Sequence, residues 1–315
     1  MTKARVTGLR GIELGVRNLG ESASYYEDVW GLKRVARHGD SIYLRARGAE
    51  HHIVQLNERP KSALMSIKLA APDKAAVDEL HAAAVSFGAD VTTTPAALPA
   101  DGGGGYGFAL NTPEGHKIMI SSDVARHADI GADRTTPVKL THAVLNTTRP
   151  DDQMRFFCDL LGFRLSDCNG RMNFVRCSKD HHAIALAEAE GPGLNHMAYE
   201  MDSFDSLMRG CGRLKANDVT LEWGVGRHGP GDNIFAYFVE PNGFVTEYTA
   251  DVEQIEDDNA YVPHDEAYWN SFPMRPCRWG MATTPSKHLR HAMSGKLAEE
   301  RNQLCDEIIS KSLSR

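Results

Sequence analysis

The sequence predicts an α+β protein made of two tandem modules, each a pair of strand–helix–three-strand (βαβββ) units, with a C-terminal arm and helix. Three observations predict it. LRGIELGVRNL from Leu9 matches LTHAVLNTTRP from Leu140, YYEDVWGLKRV from Tyr25 matches FFCDLLGFRLS from Phe156, and Gly31 matches Gly162, all at one offset of 131 positions. A constant offset across a strand, a loop and a helix marks an internal repeat. Both copies of the first string alternate in polarity as strands do. The triplets Pro113–Gly115 (PEG) and Pro241–Gly243 (PNG) then place the same turn between two strands of each half.

The elements follow in order. In the first half, YLRARGAEHHIVQL is a strand pair whose second-half copy is FVRCSKDHHAIAL. Asp73 stands where an N-cap belongs before KAAVDELHAAAVSFG, and Ser203 stands likewise before FDSLMRGCGRL. Asp151 and Asp152 follow Pro150 at the start of another helix, and Gly31 and Gly162 sit where glycine ends one. Ser121 to Pro137 is polar and aperiodic, a linker. The division is therefore 1–133 for a degenerate first module pair without metal, 134–250 for the chemically equipped pair, and 251–315 for the arm and helix. In that last part Met293, Leu297, Leu304 and Ile308 fall at helical spacing, a stripe expected to pack on the body or another subunit.

Composition excludes several classes. The chain has 315 residues, a net charge of −7 and 24% charged residues, so no basic surface for nucleic acid is expected. No stretch is long and apolar enough for a membrane span, and the N-terminus lacks a signal-peptide core. The six cysteines show no close pairing and read as reduced thiols, which points to the cytoplasm.

The repeat supplies an internal control: a polar residue in one copy against an inert one in the other is suspect. His142 faces Gly11, His196 faces Leu64 or Met65, and Glu247 faces Met119. Two imidazoles and one carboxylate form the set that non-haem Fe(II) oxygenases prefer, and catalytic zinc accepts it as well. Tyr237 faces Ala109, again polar against inert. His182 precedes His196 by one strand turn, yet its counterpart is His52, so this pair does not separate the halves. His228 precedes Glu247 on the same hairpin. A histidine near a metal can move protons at neutral pH, and a tyrosine can donate to an anionic oxygen.

The strings LTHAVLNT, DHHAIAL, GLNHMAYE, GRHGPGDNIFAYF and EPNGFVTEYT closely resemble the type I extradiol ring-cleaving dioxygenases of the vicinal oxygen chelate superfamily. The resemblance implies Fe(II), or Mn(II) in some members, held by His142, His196 and Glu247. It implies His182 as the acid–base residue and His228 and Tyr237 as hydrogen-bonding partners of the substrate. The implied reactants are a catechol and O₂, and the implied assembly is a homo-oligomer such as a tetramer. Members that hold a carboxylated catechol place an arginine five residues before the pocket histidine; that position is Trp223 here. A neutral or apolar ring substituent is therefore expected, with Phe174 and Trp223 as candidate walls. An acidic substituent returns to consideration if Arg275 or Arg278 folds over the mouth. The competing readings are a glyoxalase-like isomerase or thiol transferase, which would draw ligands from both modules, and a metal-free binding protein.

Overall fold

A computed structural model describes residues 4–129, 131, 133–272 and 277–313. Strand β1 (Gly8–Val16) leads into helix α1 (Leu19–Ser24), which runs on into a wider-wound turn at Tyr25–Trp30. Strands β2 (Lys33–His38), β3 (Ser41–Arg45) and β4 (Val54–Glu58) complete the first unit. The second unit is β5 (Ala63–Ala70), α2 (Lys74–Phe87), β6 (Asp90–Val91), β7 (Ala96–Ala97), β8 (Tyr106–Asn111) and β9 (Lys117–Ser122). The caps are the expected ones. The Asp73 carboxylate accepts the Ala76 N–H at 2.8 Å, and Gly88 ends α2 in the left-handed conformation.

The second half repeats this plan. Its first unit is β10 (Lys139–Thr147), α3 (Pro150–Met154) with the same wide turn at Arg155–Leu160, then β11 (Arg164–Cys168), β12 (Met172–Arg176) and β13 (Ile184–Glu188). Its second is β14 (Gly193–Glu200), α4 (Phe204–Ala216), β15 (Trp223–Arg227), β16 (Ile234–Val239) and β17 (Val245–Ala250). The sheets run β2-β3-β4-β1-β5-β9-β8-β6, with β7 also on β8, and β11-β12-β13-β10-β14-β17-β16-β15. In each, the two units join through an antiparallel central pair, β1·β5 and β10·β14. The α+β fold class read from the repeat is the one observed.

Two expectations need correction. The ladder aligns His142 with Ala198 and Val144 with His196 in one half, and Gly11 with Lys68 and Glu13 with Ser66 in the other. The counterpart of His196 is therefore Ser66, not Leu64 or Met65. The loop between β12 and β13 is one residue shorter than that between β3 and β4, which moves the offset from 131 to 130 and hides this from linear counting. The linker also begins later than expected. β9 continues through Ser122, whose pairing to Tyr106 keeps a polar residue buried within a strand.

The halves interlock reciprocally. Glu114 of the PEG turn accepts hydrogen bonds from Thr147, Thr148 and Gln153 around α3. Asn242 of the PNG turn donates to Ser22 of α1 at 3.1 Å. The Arg213 guanidinium of α4 reaches the Val29 and Trp30 carbonyls and the Tyr248 hydroxyl, while Trp30 stacks on Tyr248 at 3.9 Å. One buried core runs through both halves. The C-terminal part adds α5 (Glu266–Asn270), α6 (Lys287–Met293) and α7 (Lys296–Leu313). Leu289, Ala292, Met293 and Leu297 pack on β16, as the stripe suggests. Leu304 is exposed, so the stripe does not continue, and the Ile308 side chain lies outside the described residues. No helix among the described residues is long and apolar enough to cross a membrane.

Candidate metal centre and its pocket

Strand alternation carries His142 (β10), His196 (β14) and Glu247 (β17) to the same face of the second sheet. Their ligand atoms lie within 4.8 Å of one another. Nε2 of His142 and Nε2 of His196 stand 3.2 and 3.3 Å from the Glu247 Oε2. Burial alone would raise the Glu247 pKa, but the His142 and His196 imidazoles set against it hold it well below the usual carboxylate range. Burial pushes His196 toward its neutral form. A fully buried carboxylate faced by imidazole is a donor set short of positive charge, and a divalent cation would supply it. Among the described residues no other such cluster occurs.

Neighbours fix the imidazole tautomers. Nδ1 of His196 lies 2.8 Å from the Asn195 Oδ1, and Asn195 donates to Asn146 at 2.8 Å. The amide oxygen must accept, so Nδ1 carries the proton and Nε2 keeps its lone pair for a metal. Asn233 donates to Glu247 at 3.3 Å and to Thr249 at 2.7 Å. A second chain runs from Asp167 to His182. The buried Asp167 carboxylate lies 2.9 Å from Nε2 of His181, and Nδ1 of His181 lies 3.1 Å from Nδ1 of His182. The carboxylate accepts the His181 proton, so His181 in turn accepts from Nδ1–H of His182. His182 is left with a bare Nε2, and its ring sits 4.2 Å from that of His142. Burial and then the nearby histidines lower the His182 pKa well below its ordinary value.

Above this floor is a cavity of about 370 Å³, within the range of roughly 300–1,000 Å³ usual for small-molecule sites. His228 and Tyr237 are both in its lining, 3.0 Å apart between Nε2 and the hydroxyl. Burial and the Glu247 charge raise the Tyr237 pKa and keep the phenol protonated. Phe174 and Trp223 also line the cavity. Phe174 packs edge-on to His182, and Trp223 stacks on Tyr237 at 4.9 Å while its indole N–H reaches the Thr283 carbonyl. The arm contributes Trp269, Phe272 and Arg278 to the same lining. Arg278 is tied to Asp232 at 2.9 Å; Arg275 lies outside the described residues.

Sequence reading missed Asp167, Asn146, Asn195 and Asn233. The ladders show that the internal control would have found several of them. Asp167 stands where the first half has Ala36, Asn146 where it has Gly15, and Asn195 where it has Met65.

Residues 8–120 and 139–248 each match the Glyoxalase/Bleomycin resistance protein/Dioxygenase superfamily. The chain belongs to that superfamily. Among its relatives, metapyrocatechase 2 of Cupriavidus necator is 31% identical over 150 residues, 47% of this chain and 46% of that protein. The manganese-dependent 2,3-dihydroxybiphenyl 1,2-dioxygenase of Geobacillus genomosp. 3 is 25% identical over 73% of this chain and 80% of its own. An iron-dependent extradiol dioxygenase of Rhodococcus jostii is 29% identical over 38% of this chain and 45% of its own. The first and third matches thus span about half of those relatives. A solved structure, the Mn(II)-bound glyoxalase from Novosphingobium aromaticivorans, superposes with a TM-score of 0.83 at 40% identity over 90% of this superfamily member and 94% of that chain. The resemblance to extradiol dioxygenases is borne out by these relatives, which include one manganese-dependent and one iron-dependent enzyme.

Proposed function

We propose that this chain opens the ring of a catechol with O₂ by extradiol cleavage, at one Fe(II) or Mn(II) held by His142, His196 and Glu247. The observation that carries the reading is the pairing of that trio with His182, whose free Nε2 the Asp167–His181 chain points into the metal pocket. The metal would supply acidity to the bound catechol hydroxyls and a common seat for catechol and O₂.

The protein groups do the rest. Nε2 of His182 accepts a proton from a catechol hydroxyl and returns it as the ring opens, because its own Nδ1 proton is already committed to His181. The protonated Tyr237 hydroxyl donates to a substrate oxygen, and His228 shares that hydrogen bond. Asn195 and Asn233 hold His196 and Glu247 in their ligating orientation. Phe174, Trp223, Trp269 and Phe272 make a largely apolar wall for the ring and its substituent. The Arg278 charge is already matched by Asp232, which supports a neutral or apolar substituent over an acidic one.

The Novosphingobium aromaticivorans relative is called a glyoxalase, which keeps an isomerase as the second reading. An isomerase that draws ligands from both modules has nothing to use here: Gly11, Ser66 and Met119 replace the trio in the first half. A Cβ at Gly11 would lie 2.7 Å from the Ile53 carbonyl oxygen. The deciding experiment is O₂ uptake by anaerobically metal-loaded protein given alkyl-, aryl- and carboxyl-substituted catechols. Uptake equal to the catechol consumed, with a yellow ring-opened product, is expected. Full metal loading with no uptake on any of them would overturn the reading.

A further inference from the structure

The first half has lost the metal trio but kept a cavity, of about 180 Å³, over the corresponding strands. We propose that this cavity is a second ligand site, which takes a small organic monocarboxylate between Lys68 and Arg10. This does not rest on the catalytic reading.

The argument begins with register. Lys68 is paired with Gly11 on one side and Met119 on the other, the counterparts of His142 and Glu247. Its own counterpart is Ala198. A side-chain ammonium thus brings a positive charge to the face where the other half would use an ion. Nζ of Lys68 donates to Nε2 of His52 at 2.8 Å and to the Gln55 carbonyl oxygen, which uses two of its three hydrogens. Nε2 of His52 must accept, so its Nδ1–H points to Nδ1 of His51, 3.0 Å away. Burial and the Lys68 charge keep His52 neutral. Burial also lowers the Lys68 pKa to about 8, which leaves it mostly protonated at pH 7.

Arg10 occupies the bulge next to Gly11 and is 9% exposed. One of its terminal nitrogens holds Glu50 at 2.7 Å and the other reaches the Ser121 carbonyl at 3.3 Å. Its Nε–H is buried without a partner. Each of the two cations in the lining therefore keeps at least one unused hydrogen. Its two acidic groups are already engaged, Glu50 by Arg10 at 2.7 Å and Glu13 by Ser66 at 2.7 Å and Asn57 at 3.0 Å. Unpaired donors on buried cations call for an acceptor with two oxygens. Tyr43, Leu98, Val124 and Met119 complete the lining and suit an apolar remainder. The ligand class that satisfies both ends is a carboxylate on a small hydrocarbon or single ring.

The test uses the full-length, metal-loaded protein and two probes, acetate and benzoate. Lysine acylation by N-hydroxysuccinimidyl acetate is followed residue by residue by peptide mass spectrometry. Saturating benzoate should slow modification of Lys68 by about tenfold or more and leave exposed Lys33, Lys61 and Lys179 unaffected. Calorimetry should show the affinity falling roughly tenfold to hundredfold in Lys68→Met and in Arg10→Gln, as expected for the loss of one charge-assisted hydrogen bond. Benzoate bound at the metal would leave Lys68 modification unchanged. That outcome overturns the proposal, as does an unprotected Lys68 with both probes. The protection measurement needs no variant, so a misfolded substitution cannot stand in for either answer.

Discussion

Asp167→Asn tests the proton chain most sharply. Asp167 is 1% exposed and uses both oxygens: Oδ1 accepts the His264 backbone N–H at 2.7 Å, and Oδ2 faces His181 at 2.9 Å. In the variant the amide oxygen stays on the backbone N–H, which cannot change sign. The amide nitrogen then faces His181 and must donate. His181 moves its proton to Nδ1, His182 accepts there, and the His182 proton is forced onto Nε2. The base becomes occupied. General acid–base groups contribute roughly 10²–10⁴-fold, and the same tautomer error in a serine-protease triad costs roughly 10⁴. A fall in kcat of about 10²–10³ is expected, with metal content unchanged because none of the three ligands is touched. The assay is O₂ uptake normalised to metal per chain. A kcat within twofold of the parent at full loading would refute the tautomer argument.

Glu247→Ala should lose metal affinity by more than the roughly 10–100-fold that removal of a supporting residue costs; retained stoichiometry after dialysis would remove Glu247 from the trio. His52→Gln should leave kcat per folded chain within about twofold, since the first half carries no trio; a collapse in steady-state turnover would contradict the division of labour. Glu240 gives a pH prediction. Burial raises its pKa from 4.5 to about 7, against hydrogen bonds from Asn242 and Phe244. Between those values the unfolded chain has released the proton and the folded chain has kept it. Stability therefore falls as pH rises, by at most roughly 3 kcal/mol for a shift of this size. Urea midpoints at pH 5 and pH 8 should differ more in the parent than in Glu240→Gln; equal differences would refute the assignment.

The repeat made much legible in advance. Both modules, the helix caps at Asp73 and Ser203, and the face shared by His142, His196 and Glu247 follow from a period of two in strands and one offset between copies. Comparison of copies was also the right instrument for Asp167 and Asn195. At Asn195 the shorter loop before β13 had moved the offset from 131 to 130, and the mismatch of Ser66 with Leu64 or Met65 has the same origin; Asp167 keeps the offset of 131 from Ala36 and was legible without the structure. Asn233 escaped for another reason: it lies just outside β16, where alternation carries no information. The arm could not be placed in advance, since proline-rich irregular chain has no period. That Trp269, Phe272 and Arg278 enter the pocket is a tertiary fact.

The contact of Trp30 and Arg213 with Tyr248 bears on why a half without metal ligands remains attached. Tyr248 directly follows Glu247, and alternation along β17 sends the two side chains to opposite faces. Glu247 therefore looks into the pocket while its neighbour is held between the Trp30 indole of the other module and the Arg213 guanidinium of its own. Gly210 allows this tight fit, for a Cβ there would lie 2.7 Å from the Tyr248 ring. The strand that presents the carboxylate is braced from behind by a part of the chain that carries none of the trio. The duplicate thus works as a backstop, and loosening of the first module would be felt at Glu247 as lost ligand geometry before any catalytic side chain was altered.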